Sequence, residues 1–480
     1  MIRLFALKVL RQVFLEAKLV TAAALVVLLF GLGSVIAVGW HAQVQRAYAQ
    51  DVSRARAESD LDRLLLVKAP HPLDFISAGN WWSLPRLLYA GLGGVEEVAP
   101  EEFKGSFLIG AEELDWVHIV AVILSLLAIF VCYDAVSGER EQGTLRLILA
   151  QPVARSSFLI GSSLGLLLAL LVPLLIGVLS SLLVIQLSAA YVLGALQWAG
   201  VAVFTVLAVL YLAVFVSGSI LVSSLCRHSA TALLWLVLFW VVFVVLLPSN
   251  GRVLASLLES PPRRSEEQAK VTQIEGSYLT PLSDYYNQVR AIVDGGGDDS
   301  TIRYNLDRLR DSIVAGQVQK IEQRNTLIAS VRDEFSRRRL RQMELGRRLT
   351  IASPAVLFRD VSERLLTTGL ADHRGFLTAA QGYRRALRDP FAQARERHES
   401  QAKGSMSWVT RYAGFEVSGT AELNYRGINP DRDLIPEFHY ERPTLFAGIA
   451  AAGWGVFALS TLSALFFLSA LAVFSRYDVR

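Results

Sequence analysis

The residues best suited to specific chemistry lie in one short charged segment between two apolar runs. The segment covers residues 134–157, and the runs Trp116–Cys132 and Phe158–Ile185 are each long enough to cross a bilayer. Its acids and bases can form ion pairs and hydrogen bonds with another protein at a membrane surface, and its glycines and proline can set turns. The candidate site residues are Gly138, Glu139, Arg140, Glu141, Gly143, Thr144, Arg146, Pro152 and Arg155.

Motifs for catalysis and for metal binding are absent from the sequence. The 480 residues contain neither a Gly-x-x-x-x-Gly-Lys-Ser/Thr loop for nucleotide phosphates nor a His-Glu-x-x-His pair. His373, His398 and His439 do not have the spacing of metal ligands. The net charge of +4 is modest, and no nucleic-acid-binding signature occurs. We therefore expect no enzyme activity, no cofactor or metal bound by this chain, and no nucleic-acid partner.

The apolar residues occur in blocks that predict an all-α membrane protein with six transmembrane helices. Hydrophobic residues make up 53% of the chain, and the mean hydropathy is +0.40. The third and sixth blocks are longer than about 30 Å of hydrocarbon requires, so we expect tilting, a kink at Pro173 or a helical extension. No Lys, Arg, Asp or Glu lies near the middle of a block, which argues against a proton- or sodium-driven carrier. The predicted spans are 20–40, 116–133, 158–187, 198–225, 230–248 and 443–475.

Basic residues beside the short loops indicate the orientation of these spans. They precede the first span, separate the second from the third and the fourth from the fifth, and follow the sixth. The positive-inside rule then places both termini and residues 134–157 in the cytoplasm, with the spans in the inner membrane. Residues 1–19 predict an amphipathic elbow helix at the inner interface, and 476–480 a short tail. A signal peptide cleaved near Ala37-Val38-Gly39 is the alternative for the N-terminus.

Two regions are expected outside the cytoplasm, a smaller one over 41–115 and a large, mainly helical one over 249–442. In the first, we expect a charged helix over 51–66. In the second, apolar residues recur at helical spacing after the turn at 294–300. Ser353-Pro354 predicts a helix start, with serine as the cap and proline in the first turn. Cys132 and Cys226 both lie near cytoplasmic ends of spans, so the outer regions have no disulfide and the two thiols are interpreted as packing residues.

The charged segment resembles a loop of ABC-2 type transporter permeases. It reads Gly138-Glu139-Arg140-Glu141-Gln142-Gly143-Thr144-Leu145-Arg146 and closes with Pro152-Val153-Ala154-Arg155. In those permeases a Gly-Glu pair, a Gly-Thr-Leu turn and a Pro-Val-x-Arg end form a helix that docks on a separate ATPase. Shorter matches, from Ala352-Ser353-Pro354 to Ile435-Pro436, are similar to a subgroup that places a large extra domain before the last membrane helix.

This resemblance implies a permease subunit, and an exporter in particular. Two permeases, identical or paralogous, would sit on two copies of an ABC ATPase, which binds the ATP and Mg. The resemblance gives Glu139, Arg140, Glu141 and Arg146 the polar contacts with the ATPase. It gives Gly138, Gly143 and Pro152 the shaping of the turns. The lipid bilayer is a further partner.

Three alternatives stay open at this point. The charges of residues 134–157 could simply solvate a cytoplasmic loop. The subunit could be a mechanical transmitter that moves its outer domain to act on an envelope protein or a lipid without passing a solute. It could also be a structural membrane scaffold, which a partner ATPase would exclude.

Overall fold

The computed structural model describes residues 2–15, 17–57, 64–78, 84–91, 93–98, 114–150, 154–188, 190–278, 282–387, 389, 393, 409–412, 415–418 and 435–476. Six helices in these ranges are long and apolar enough to cross a membrane, which confirms the predicted six-span, mainly helical architecture. The elbow helix α1 covers Ile2–Leu15.

The six spans are numbered here in chain order. Span 1 is α2, Ala17–Ala57; span 2 consists of α3, Trp116–His118, a π-helical stretch, Ile119–Leu124, and α4, Ser125–Cys132. Span 3 is α7, Arg155–Ser188, which continues through Pro173; span 4 is α8, Ala195–Leu225. Span 5 consists of α9, Ser229–Trp240, a second π-helical stretch, Val241–Leu246, and α10, Leu247–Ser249; span 6 is α17, Leu445–Ser475.

Polar side chains connect the spans at buried positions. The Trp116 indole donates to Ser181 Oγ at 2.8 Å, and the Ser181 hydroxyl also contacts Ser34, so spans 1, 2 and 3 meet at one point. The Tyr211 hydroxyl of span 4 donates to the Ala121 carbonyl at 2.8 Å, within the π-helical stretch of span 2. Because these groups are out of water, each bond also fixes the register of its helix pair.

Helices α11–α16 follow span 5 and form most of the unit beyond the bundle. The 51-residue helix α14 begins after the glycine-rich turn, where Gly296 and Gly297 have positive φ angles. Residues 409–412 and 415–418 form a separate antiparallel hairpin. The helices are α11, Gly251–Leu258, α12, Arg264–Ser277, α13, Leu282–Asp294, α14, Asp299–Leu349, α15, Pro354–Leu365, and α16, Gly369–Ala386.

The region between spans 1 and 2 differs from the helix expected over 51–66. The helix ends at Ala57, and Leu64–Val67 is β1 of an antiparallel sheet with β2, Leu87–Gly91, and β3, Gly94–Glu97. The apolar run of β1 explains the difference, because Leu66 is buried against Leu88 and the α16 side chain Phe376. The sheet therefore shares a core with α14 and α16. The sheet and helices α12–α16 are together called the head below.

Helix α15 belongs to the span bundle as much as to the head. Its side chains Leu357, Phe358 and Val361 are part of the same buried cluster as the spans. The Phe358 ring stacks on Tyr211 of span 4, with 4.5 Å between the ring centroids. The sequence prediction for its start is confirmed, since the Val356 amide donates to the side chain of the cap residue Ser353 at 3.2 Å.

Candidate coupling site

The charged segment is folded as two short helices after span 2. Helix α5 covers Ser137–Glu141 and helix α6 covers Thr144–Leu149. Gly143 joins them with φ of 74°, a left-handed conformation in which a side chain would be strained. Gly138 packs closely on Asp134, since an added Cβ would lie 3.2 Å from the Asp134 Cβ. Gly143 therefore forms the turn between the two helices, whereas Gly138 lies within α5.

Glu139 connects the segment to the elbow helix α1. Lys8 Nζ lies 2.8 Å from Glu139 Oε1, and the Thr144 hydroxyl donates both to the Glu139 carboxylate and, at 3.1 Å, to its carbonyl. The side chain of Glu139 is only 14% exposed, against 45% for Lys8. Its carboxylate thus points toward Lys8 of α1 and Thr144 at the start of α6.

Arg140 holds the end of span 4. Its guanidinium donates to the Cys226 carbonyl at 2.9 Å and to the Ser224 carbonyl at 3.3 Å. These carbonyls belong to the last turn of α8, where a helix lacks internal donors and favours a cation. The Ser223 hydroxyl of span 4 in turn accepts hydrogen bonds from the backbone amides of Val136 and Ser137, both at 3.0 Å.

Glu141 caps the start of span 5. Its carboxylate accepts the Ser229 amide at 2.9 Å and the Ser229 hydroxyl at 2.8 Å, and His228 Nδ1 lies 3.5 Å away. A carboxylate at a helix N-terminus satisfies an otherwise unpaired amide and complements the helix dipole. The three neighbours Glu139, Arg140 and Glu141 therefore connect α5 to α1, span 4 and span 5.

The remaining candidate residues are divided between internal and exposed positions. Arg155, at the start of span 3, donates to the Ser475 carbonyl at the end of span 6 over 2.6 Å. In α6, Leu145 is buried, whereas Arg146 is exposed and Leu147 is 70% exposed. Pro152 lies outside the described residues. The exposed residues of the segment include Glu141, Gln142, Gly143, Arg146 and Leu147.

The ion pair between Lys8 and Glu139 can be tested by exchanging the two charges. Glu139→Lys should lower the unfolding midpoint and loosen α1, because two ammonium groups would face each other where a pair now forms. The double variant Lys8→Glu/Glu139→Lys should recover most of the loss. Since Lys8 is half exposed, we expect a coupling energy of about 0.2–1 kcal/mol from the double-mutant cycle of unfolding free energies. Additive single effects would show that the pair does not position α1.

Comparison with known protein families agrees with this architecture. Residues 16–331 match the family model described as ABC-2 family transporter protein, which covers spans 1 to 5 and much of α14. The chain belongs to the ABC-2 transporter family. This membership agrees with the six membrane spans. Residues 316–407 match a second model, a domain of unknown function, DUF3526.

One curated ABC-2 relative shares a shorter stretch of sequence. The chain is 39% identical over 82 residues to the probable ABC transporter permease protein NosY of Pseudomonas aeruginosa. This stretch is 16% of the chain and 30% of NosY, so the chain spans less than a third of that relative.

The contact between α15 and span 6 is a feature that sequence reasoning missed. Gly448 and Gly455 lie on the face of span 6 that receives α15. A Cβ at Gly448 would lie 2.6 Å from the Leu365 carbonyl oxygen, and one at Gly455 would overlap the Val361 side chain. Glycine spacing in an apolar span signals close helix packing, but the sequence does not show that the packed helix comes from the head.

A buried polar cluster in the head was also missed. Asp372 of α16 faces Lys68 Nζ at 2.5 Å, accepts the Tyr440 hydroxyl at 2.8 Å, and lies 3.6 Å from Arg442 Nε. Lys68 and Asp372 are both 5% exposed in their side chains. Burial lowers the pKa of Lys68, while the adjacent Asp372 carboxylate opposes that shift. The cluster joins the end of β1, α16 and the irregular chain leading into span 6.

Proposed function

We propose that this chain is the permease subunit of an ATP-driven exporter, coupled to a separate ABC ATPase through residues 134–157. Two permease subunits, identical or paralogous, flank the pathway and rest on two ATPase copies. The ATPases hold the ATP and Mg, and this chain has no catalytic role. Both termini and the coupling segment face the cytoplasm of the cell's inner membrane, and the head lies on the opposite side.

The observation that carries this proposal is the set of contacts made by α5. Glu139, Arg140 and Glu141 attach one short helix to α1, to the end of span 4 and to the start of span 5. A displacement of the exposed edge of the segment is therefore transmitted to α1, span 4 and span 5 together. Glu139 and Glu141 attach α5 to its neighbours, and we assign the docking contacts to the exposed Arg146 and Leu147.

A matched pair of arginine variants tests the docking role. Arg146→Glu/Leu147→Asp should abolish co-purification of the ATPase, because a charge reversal and a buried carboxylate would both oppose docking. Arg252→Glu in α11 changes another exposed arginine and should leave binding intact. Unfolding midpoints of both variants should stay close to that of the unchanged chain. Normal ATPase binding by the first variant would exclude this edge as the docking surface.

A second candidate function is favoured by the packing of α15. Because α15 is part of the cluster of the spans and α16 is part of the core of the head, a movement of span 6 is passed directly to the head. The subunit would then be a mechanical transmitter acting on an envelope protein or lipid. Transport assays in proteoliposomes separate the two, since a transmitter would hydrolyse ATP with its ATPase without moving a solute.

A further inference from the structure

The turn that joins α14 to α15 lies beside the end of span 5 that faces the head. The buried Ser353 hydroxyl donates to the Phe243 carbonyl of span 5. Phe243 precedes Ser249, the last residue of that span, by six residues, which is about 8 Å of helix. Thr350 lies just beyond the same end, because a Cβ at Gly251 would be 3.3 Å from the Thr350 Cγ2. Residues 350–353 therefore pass from a level just beyond span 5 to a level inside it.

The turn exposes apolar side chains at this depth. Ile351, between the levels of Gly251 and Phe243, is 44% exposed, and Leu349 is exposed as well. Around the end of a membrane span the surroundings are acyl chains and lipid headgroups. Exposed apolar side chains at this level are therefore placed to contact lipid.

Two exposed arginines lie next to the turn. Arg348 is 73% exposed, and Arg252, at the start of α11, is exposed as well. Arg348 Nη2 lies 2.7 Å from Glu344 Oε1, but Glu344 Oε2 lies 2.6 Å from Arg374 Nη2. One carboxylate thus faces two guanidinium groups. Arg252 forms no ion pair with any residue that the structure describes, so positive charge remains at the level where a bilayer carries its phosphate groups.

The neighbouring Arg347 has the opposite direction. Its Nη1 lies 2.8 Å from Asp360 Oδ1, and its Nη2 contacts the Glu363 carboxylate. Both acids belong to α15 and are buried. Arg347 therefore attaches the end of α14 to the helix that packs on the spans, whereas Arg348 is directed outward.

We propose that residues 349–353 insert into the membrane leaflet on the side of the head, and that Arg348 and Arg252 bind the phosphate groups of anionic phospholipids there. Leu349 and Ile351 contact the acyl chains, while the long arginine side chains place their charges at headgroup level. This contact holds the junction of head and bundle at a fixed depth. It is independent of the ATPase-coupling role proposed above.

Photocrosslinking in lipid nanodiscs tests the insertion. The full chain carries p-benzoylphenylalanine at position 351, and the nanodiscs contain phosphatidylglycerol and phosphatidylcholine with a clickable acyl chain. We expect lipid adducts from position 351 and only background from position 327. Leu327 is a matched control, because it is also 44% exposed and lies 24 residues earlier on α14, about 36 Å along the helix. Equal labelling at both positions, or no labelling at 351, would overturn the insertion.

Stabilisation by lipid tests the arginines. In a neutral detergent, phosphatidylglycerol should raise the unfolding midpoint of the full chain saturably, and at a lower mole fraction than phosphatidylcholine. Arg348→Glu should raise the half-saturating fraction of phosphatidylglycerol about fivefold or more, because a carboxylate replaces an arginine near anionic headgroups.

Arg338→Glu is the matched control for this measurement. Arg338 lies ten residues before Arg348 on α14, and each pairs with a glutamate four residues earlier, Glu334 and Glu344. This variant should leave the half-saturating fraction unchanged, and both variants should unfold close to the unchanged chain without lipid. Equal responses of the two variants, or equal effects of the two lipids, would overturn the binding of anionic phospholipid by Arg348.

Discussion

Asp372→Ala should lower the free energy of unfolding by about 3–5 kcal/mol, because it leaves one buried and one partly buried cation without their carboxylate. Lys68 and Arg442 both face Asp372, and the side chain of Lys68 is only 5% exposed. The Tyr440 hydroxyl loses its side-chain acceptor in the same step. Denaturant unfolding of the purified chain, followed through the head, measures the effect.

Two further variants separate the buried charges from a general loss of packing. Asp389→Ala removes an exposed acid just beyond α16 and should change stability by less than about 0.5 kcal/mol. Lys68→Met/Asp372→Leu removes the closest pair together and should recover part of the loss, since apolar residues can replace a buried ion pair. Recovery should stay incomplete because Arg442 remains. A full loss in the double variant would assign the effect to shape instead of charge.

Much of the membrane architecture could be predicted from the sequence because each span depends on local composition. About 20 consecutive apolar residues satisfy the bilayer regardless of what surrounds them, and the six spans follow from that rule. The cap at Ser353 was predictable for the same reason, since serine followed by proline starts a helix through contacts with its own next turn.

The strands of the head could not be predicted because their stability comes from distant partners. Leu64–Val67 is a short apolar run after a charged helix, and its pairing with Leu87–Gly91 depends on a covering helix, α16, that is far away in the sequence. Strand preference depends strongly on such packing. The lysine that follows β1 meets Asp372 only after this fold forms.

In the charged segment, too, the features set by neighbouring residues could be predicted from the sequence, and those set by distant residues could not. Its position between two spans and the turn at Gly143 follow from the sequence. The direction of each charge does not, because Glu139, Arg140 and Glu141 find partners in α1, span 4 and span 5. The family resemblance assigned all three to contacts with an ATPase, and that assignment stays a prediction; their contacts within the chain could not be read from the sequence.

The close contact between α15 and span 6 predicts opposite effects on stability for alanine substitutions at two nearby glycines of span 6. Gly455→Ala should lower the free energy of unfolding by about 1–3 kcal/mol, because its methyl group overlaps the stiff, β-branched side chain of Val361. Gly453→Ala adds the same methyl group two residues away, where no atom lies within 4 Å. Alanine favours a helix over glycine, so this control should be neutral or stabilising by up to about 1 kcal/mol.

A compensating variant identifies the partner of Gly455. With Val361→Ala, the overlapping Cγ2 is gone, and the Val361 Cβ at 3.6 Å and the Leu357 Cδ1 at 3.7 Å stay at ordinary contact distances from the new methyl group. The double variant Val361→Ala/Gly455→Ala should therefore lose less stability than the sum of its single variants, and the difference measures the contact. If the proposed coupling passes through the contact between α15 and span 6, Gly455→Ala should leave ATP hydrolysis by the ATPase intact but stop the movement of the head. Gly453→Ala should keep both the hydrolysis and the movement. Equal stability of the Gly455 and Gly453 variants would mean that α15 does not rest on span 6 in the folded protein.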